Sequence, residues 1–269
     1  MLDADMLSVE AAREVERFLR RRDGHKETPL DSLASLARGI GVGSIHLKDE
    51  GHRLGLRSFK ALGGSYAVIR LVLEEAARQL GRNVELSELH GPDVQAVARS
   101  MTVCCATDGN HGRSVAYGAQ LVRAKCAIFV HSGVSNERVA AIARFGAQMI
   151  RIERNYDFSV AEATRVAAEN RWTAVSDTSW PGYERIPGLV MQGYTALLSE
   201  ALRHLREPPT HVFIQAAWVG LPVRLPDIFP SCSAAIDRSS PLSTPHGRRA
   251  SSKVRGLGIL SEWITGNLS

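Results

Sequence analysis

Three side chains in this sequence have the types and settings to do chemistry together: a lysine, Lys60, and two aspartates, Asp108 and Asp177. Lys60 lies in the stretch LKDEGHRLGLRSFKALGGSYAVI, Leu47–Ile69. Ser44–Leu47 reads as a short strand, Gly51 and Gly55 break the polar loop after it, and Ser58 is a good helix N-cap. The apolar run from Phe59 then puts Lys60 in the first helical turn. A helix N-terminus carries partial positive charge, and partial burial disfavours an ammonium. Both effects push such a lysine toward its neutral form, and a neutral amine can condense with an aldehyde. A lone lysine in a helix is otherwise a solvated charge.

Asp108 belongs to Thr107-Asp108-Gly109-Asn110-His111-Gly112, between an expected strand and an expected helix. The glycines permit close backbone approach, and a helix start offers free N–H groups to an anion. The loop Thr107–His111 therefore reads as a carboxylate or phosphate cradle with Asp108 at its mouth, or as a plain turn built on Asp and Asn. Asp177 lies in Ser176-Asp177-Thr178-Ser179-Trp180-Pro181-Gly182-Tyr183. Alone it reads as a turn or capping residue.

The elements that must position these loops alternate from Met101 onward. Strands are expected at Thr102–Ala106, Lys125–His131, Gln148–Ile152 and Trp172–Val175, with helices at Arg113–Val122, Asn136–Phe145 and Phe158–Glu169 between them. Short apolar strands alternating with helices argue for a parallel sheet covered on both faces. Ligands bind such sheets at the carboxyl ends of strands, where both aspartate loops lie. Before this unit, Glu10–Arg22 reads as an amphipathic helix, the Lys60 helix runs to about Gln79, and Gly81–Asp93 is polar and turn-rich. After it come a helix over Ile186–Leu205, with Met191 and Tyr194 inward as core, and a buried strand at His211–Gln215.

Ser58-Phe59-Lys60, with Lys48-Asp49-Glu50 before it and Gly63-Gly64-Ser65-Tyr66 after it, resembles the cofactor-lysine segment of fold-type II pyridoxal-phosphate (PLP) enzymes. TDGNHG and DTxWxGY are similar to the forms found in the diaminopropionate ammonia-lyases of that group. The resemblance implies an α/β fold of two parallel-sheet domains, the larger one incomplete here. The large domain would comprise residues 1–95 with 186–217, and the small one residues 96–185, carrying the asparagine loop. It implies PLP on Lys60, Asn110 against the cofactor's phenolic oxygen, and the substrate carboxylate on Thr107, Gly109 and His111. Asp108 and Asp177 would be the catalytic acids and bases, acting on a substrate with two amines: one accepts the Cα proton, the other steers the leaving ammonium. The implied reaction is α,β-elimination of 2,3-diaminopropionate to pyruvate and ammonia. A serine/threonine dehydratase-like lyase and an inactive remnant are the alternatives. The full-length family implies a homodimer.

Composition narrows the partners. Apolar residues make up 44% and charged residues 23% of 269 residues, ordinary for a globular protein. The four cysteines form neither a disulfide framework nor a metal spacing and suit a reducing cytoplasm. No metal site, membrane span or signal segment is expected. The net charge of +5 is without the aromatic-interleaved basic cluster of a nucleic-acid arm.

After Ala216 the resemblance stops. A family glycine loop for the cofactor phosphate is expected here, and Ala217-Trp218-Val219-Gly220-Leu221-Pro222 stands in its place. Residues 218–269 hold five of the eleven prolines and nine serines and show no sustained period, which predicts an aberrant, irregular tail. Codons can be chosen for AAWVGLPVRLPDIFPSCS so that a shifted frame reads GVGGFAGAVAGYLSVVL, a glycine loop followed by a small-residue helix. The expectation is a one- or two-nucleotide slip near Ala216. Sequencing the gene checks it: the codons should spell that loop and helix in another frame, and codons that do not refute the slip.

Overall fold

The computed structural model describes residues 8–22, 25–215 and 233–237. These described residues belong to one compact unit. In chain order the elements are α1 (Val9–Arg20), β1 (Leu30–Ser32), α2 (Ala34–Ile40), β2 (His46–Lys48), α3 (Lys60–Leu80), α4 (Pro92–Ser100), β3 (Thr102–Ala106) and α5 (Asn110–Val122). There follow β4 (Lys125–His131), α6 (Asn136–Ala143), β5 (Gln148–Ile152), α7 (Tyr156–Asn170), β6 (Thr173–Ala174), α8 (Arg185–His204), β7 (His211–Gln215) and β8 (Ser233–Asp237). Two 3₁₀ turns separated by a kink at Arg53 and Leu54 occupy Glu50–Gly55, and a single one occupies Leu86–Glu88.

The centre is a four-stranded parallel sheet in the order β5-β4-β3-β6. Val103, Cys104 and Cys105 of β3 and Cys126–Val130 of β4 are buried on both faces, as a sheet covered by helices on each side requires. On one side Cys104, Ala127 and Phe129 meet Ala163 and Ala167 of α7. On the other, Val103, Cys105 and Ile128 join a larger core through α5, α3, α8 and α1.

Helix α3 is buried along most of its length because small residues let its neighbours come close. A Cβ added to Gly63 would lie 2.5 Å from the Tyr194 ring and 2.6 Å from the Val190 carbonyl oxygen of α8. One added to Gly118 of α5 would meet the Ser65 Cα at 2.8 Å. Ser114 of α5 seals the contact, accepting from the Ser65 N–H (2.9 Å) and donating to the Ala61 carbonyl (3.0 Å).

The loop ahead of α3 is anchored by a buried ionic knot. Lys48 Nζ donates to Glu200 (2.7 Å) and to the Thr28 carbonyl (2.6 Å). Arg53, wholly buried, pairs with Glu200 and Glu50, each at 2.7 Å. Burial works against the Arg53 charge, and the two carboxylates more than offset it. Lys48 and Glu50, prominent in the sequence motif, thus act in holding the loop to α8.

Several expectations change. Helices α2 and α4 form in stretches to which the sequence reading assigned no element, α4 beginning at the end of the turn-rich segment. Pro92 at the first position of α4 starts it without needing its missing N–H, and Val94, Val97 and Ala98 bury its inner face. Within the tail expected to be irregular, Ser233–Asp237 form a strand parallel to β7, because Ala-Ala-Ile is compatible with a strand. The glycine-loop position after Ala216 and the rest of the tail lie outside the described residues. Phe213 on β7 is 58% exposed, so His211–Gln215 is not the buried strand that was expected, since among the described residues no helix of the central core packs over it. No helix among the described residues is long and apolar enough to cross a membrane, and no cluster of metal-type ligands forms among them.

The close helix contact generates a test by chemical denaturation. Gly63→Ala should lose about 1–3 kcal/mol by overpacking. Gly39→Ala, in α2 with open space around it, should be neutral or gain up to about 1 kcal/mol from helix propensity. Equal effects would refute the packing account.

Candidate active site

A cleft of about 460 Å³ opens at the carboxyl ends of β3 and β6. Lys60, Thr107, Asp108, Gly109, Asn110, His111 and Asp177 all line it, so every site residue expected from the sequence converges on one cavity. Arg113, Glu137, Arg138 and Tyr156 line it as well and were not foreseen. Only their placement on α5, α6 and α7, with no motif of their own, brings them there.

Lys60 lies in the first turn of α3, as expected, but Phe59 and not Ser58 is the N-cap, because the helical backbone begins one residue later; Ser58 Oγ accepts from the Lys60 N–H at 3.3 Å. Its setting differs from the neutralising one expected: Nζ donates to Asp177 Oδ2 at 2.7 Å. Asp177 is 8% exposed. Burial works to raise its carboxyl. His111 and Lys60 beside it, with the Lys60 hydrogen bond, outweigh that and hold it below the usual carboxylate range.

The loop after β3 is braced from within. Thr107 Oγ1 accepts from the N–H groups of Gly109 (3.0 Å) and Gly112 (3.1 Å). The Gly109 N–H expected to hold a carboxylate is therefore already engaged. The first N–H groups of α5, on Asn110 and His111, have no acceptor within the helix and are the ones left to bind an anion. The His111 ring is buried, with Nε2 2.7 Å from the Val175 carbonyl oxygen.

The two aspartates have different surroundings. Asp108 is at the mouth, with its side chain 58% exposed and Oδ1 3.0 Å from His131 Nε2. Asp177 is at the floor. Its loop is fixed by Tyr183, whose hydroxyl donates to the Ala174 carbonyl (2.7 Å) and accepts from the Ser176 N–H (3.0 Å). Gly182, at φ +85°, makes the turn that returns Tyr183, and Trp180 stacks on it at 4.1 Å. The aromatic part of DTxWxGY is thus a brace for the acid at its start.

The fold, the lysine at a helix start and the asparagine loop define a PLP-dependent enzyme framework, and the sequence pattern of the pyridoxal-phosphate dependent enzyme family matches residues 21–221. The chain belongs to this family and has its fold-type II architecture. Among curated relatives it is 37% identical over 215 residues to diaminopropionate ammonia-lyase of Salmonella typhimurium, covering 78% of this chain and 53% of that protein. The Escherichia coli K12 enzyme of the same name is 38% identical, with 78% and 52% covered. The crystal structure of the Escherichia coli enzyme in complex with an aminoacrylate–PLP azomethine reaction intermediate superposes with a TM-score of 0.75 at 34% identity. That match covers 86% of this chain and 60% of the other. The chain thus spans about half the length of the curated relatives it matches.

The depressed Asp177 carboxyl carries a pH dependence. Its folded value lies below the unfolded one, so its stabilisation is complete above about pH 4 and is lost as pH falls through the folded value. The stability difference between wild type and Asp177→Asn should be constant near neutrality and shrink below about pH 4. Urea unfolding across pH measures it, and a difference independent of pH would refute the assignment.

Proposed function

We propose that this chain carries the catalytic machinery for α,β-elimination of 2,3-diaminopropionate, giving pyruvate and ammonia, with Lys60 as the cofactor lysine. The observation that carries this is a lysine amine 2.7 Å from a buried carboxylate, in a cleft that a second carboxylate shares. The relatives of that name, at 37–38% identity, support the reading.

The residues present fit a carbonyl cofactor. The Lys60 side chain is 18% exposed on the cleft, and Asn110 faces the same cavity. Lys60 and Asn110 would hold it. Bound PLP supplies an electron sink for the carbanion left when a Cα proton is removed.

The protein's own groups do the rest. The N–H groups at the start of α5 receive the substrate carboxylate. Asp177, at the floor, or Asp108, at the mouth, takes the Cα proton, and the other faces the β-ammonium. That group departs as neutral ammonia with the electron pair of the Cβ–N bond, so it needs no acid, only a carboxylate to draw and orient the cation. The aminoacrylate left behind hydrolyses to pyruvate and a second ammonia. A hydroxyl leaving group would instead need a proton donor, and two ionisable carboxylates suit the ammonium better. The division into a large domain (1–95 with 186–217) and a small one (96–185), and a homodimer of the full-length form, belong to the same proposal.

The test is ammonia and pyruvate release from 2,3-diaminopropionate by the full chain with added PLP. Lys60→Ala should abolish it, and Asp177→Asn should lower kcat by about 10²–10⁴-fold. Release from serine but not from diaminopropionate would replace this reading with a dehydratase. No release from either, in folded protein, would leave an inactive remnant.

A further inference from the structure

The reaction outlined above leaves the His111 side chain unused, although it sits at the centre of the site. It is 3% exposed. Its Nε2 lies 2.7 Å from the Val175 carbonyl oxygen. A carbonyl only accepts, so Nε2 carries a hydrogen and donates. Nδ1 is then the lone-pair nitrogen whenever the ring is neutral. It is buried, has no hydrogen-bond partner among the described residues, and lies 3.7 Å from Asp177 Oδ2. The same oxygen holds Lys60 Nζ at 2.7 Å. One carboxylate oxygen therefore stands between an ammonium and a basic imidazole nitrogen.

Resting on the reading of Lys60 as the reactive amine, we propose that His111 is a positioning residue that stores the Lys60 proton, received on Nδ1 by way of Asp177 Oδ2. An ammonium has no lone pair and cannot attack a carbonyl carbon. As an N–H bond of Lys60 breaks, its proton passes to Oδ2 and its electron pair stays on Nζ. The new O–H bond then breaks as the proton moves on to Nδ1. Lys60 ends as a neutral amine, Asp177 is again a carboxylate, and His111 is an imidazolium. The summed charge of the three groups does not change, so the buried site never holds an unpaired charge. Without His111 the proton would remain on Asp177, and that carboxylate would be lost as a base.

The other titratable groups around the trio do not compete. Burial pushes the Cys105 thiol of β3 and the Tyr156 and Tyr194 phenols of α7 and α8 upward, so they stay neutral. Asp108 is engaged with His131 at the mouth. Glu137, Arg113 and Arg138 line the outer cleft. The imidazole answers chiefly to Lys60 and Asp177.

Imidazole ¹⁵N NMR of the full chain without cofactor tests this, with the signal identified by its loss in His111→Gln. The neutral ring should carry its hydrogen on Nε2. Its titration midpoint should rise by about one pH unit in Lys60→Met, which removes a neighbouring cation, and fall by a similar amount in Asp177→Asn. A neutral ring protonated on Nδ1, or a midpoint unmoved in Lys60→Met, overturns the proposal. A second arm traps PLP on the protein with borohydride across pH and reads the Lys60 peptide by mass spectrometry. His111→Gln should move half-capture upward by about one pH unit. The same profile in both proteins overturns the proton store alone, whereas no capture by wild type at any pH overturns the reading of Lys60 itself.

Discussion

Helix α3 approaches α5 and α8 at distances that glycine alone permits, and the position of the Lys60 amine follows from that approach. Gly63 and Gly193 face each other across α3 and α8, while Gly64 and Gly118 do the same work toward α5. Ser114 then fixes the depth at which the first turn of α3 sits, by bonding to Ala61 and Ser65. Lys60 begins that turn. Any side chain at these contacts would push the helix start away from the strand ends, and a hydrogen bond to Asp177 does not survive a shift of an ångström.

Around that fixed helix, the site loops are held by their own polar side chains. Thr107 pins the turn after β3, Tyr183 pins the turn after β6, and the Lys48–Glu200–Arg53 knot ties down the approach to α3. Each of these groups is spent inside the protein and leaves the cleft to others. A site held this way is organised before a substrate enters, and less of the binding energy goes into ordering it.

The bounds of β3, β4 and β5 match the sequence reading residue for residue, because apolar runs between polar turns have one interpretation in a covered parallel sheet, whereas β7 has the expected bounds but not the expected burial. The cleft residues were legible for a related reason: loops at strand ends carry short, specific patterns. What was hidden depends on distance along the chain. Glu200 meets Arg53 across 147 positions and Lys48 across 152. Nothing local in a helix that reads as core marks Glu200 as the anchor of a distant loop. The Asp177 partner of Lys60, 117 positions away, was hidden likewise. Helices α2 and α4 escaped because they are short, and neither start carries a side-chain cap.

The ionic knot has a consequence for chemical selectivity. The lysines of this sequence are Lys26, Lys48, Lys60, Lys125 and Lys253, against a large excess of arginine. Guanidinium stays protonated and forms no imine. Lys48, the nearest along the chain, is locked between Glu200 and the Thr28 carbonyl, and among the described lysines Lys60 alone lines the cleft. Among the described residues, an aldehyde entering the cavity therefore meets a single amine. The basic character of the chain is carried by groups that cannot divert it.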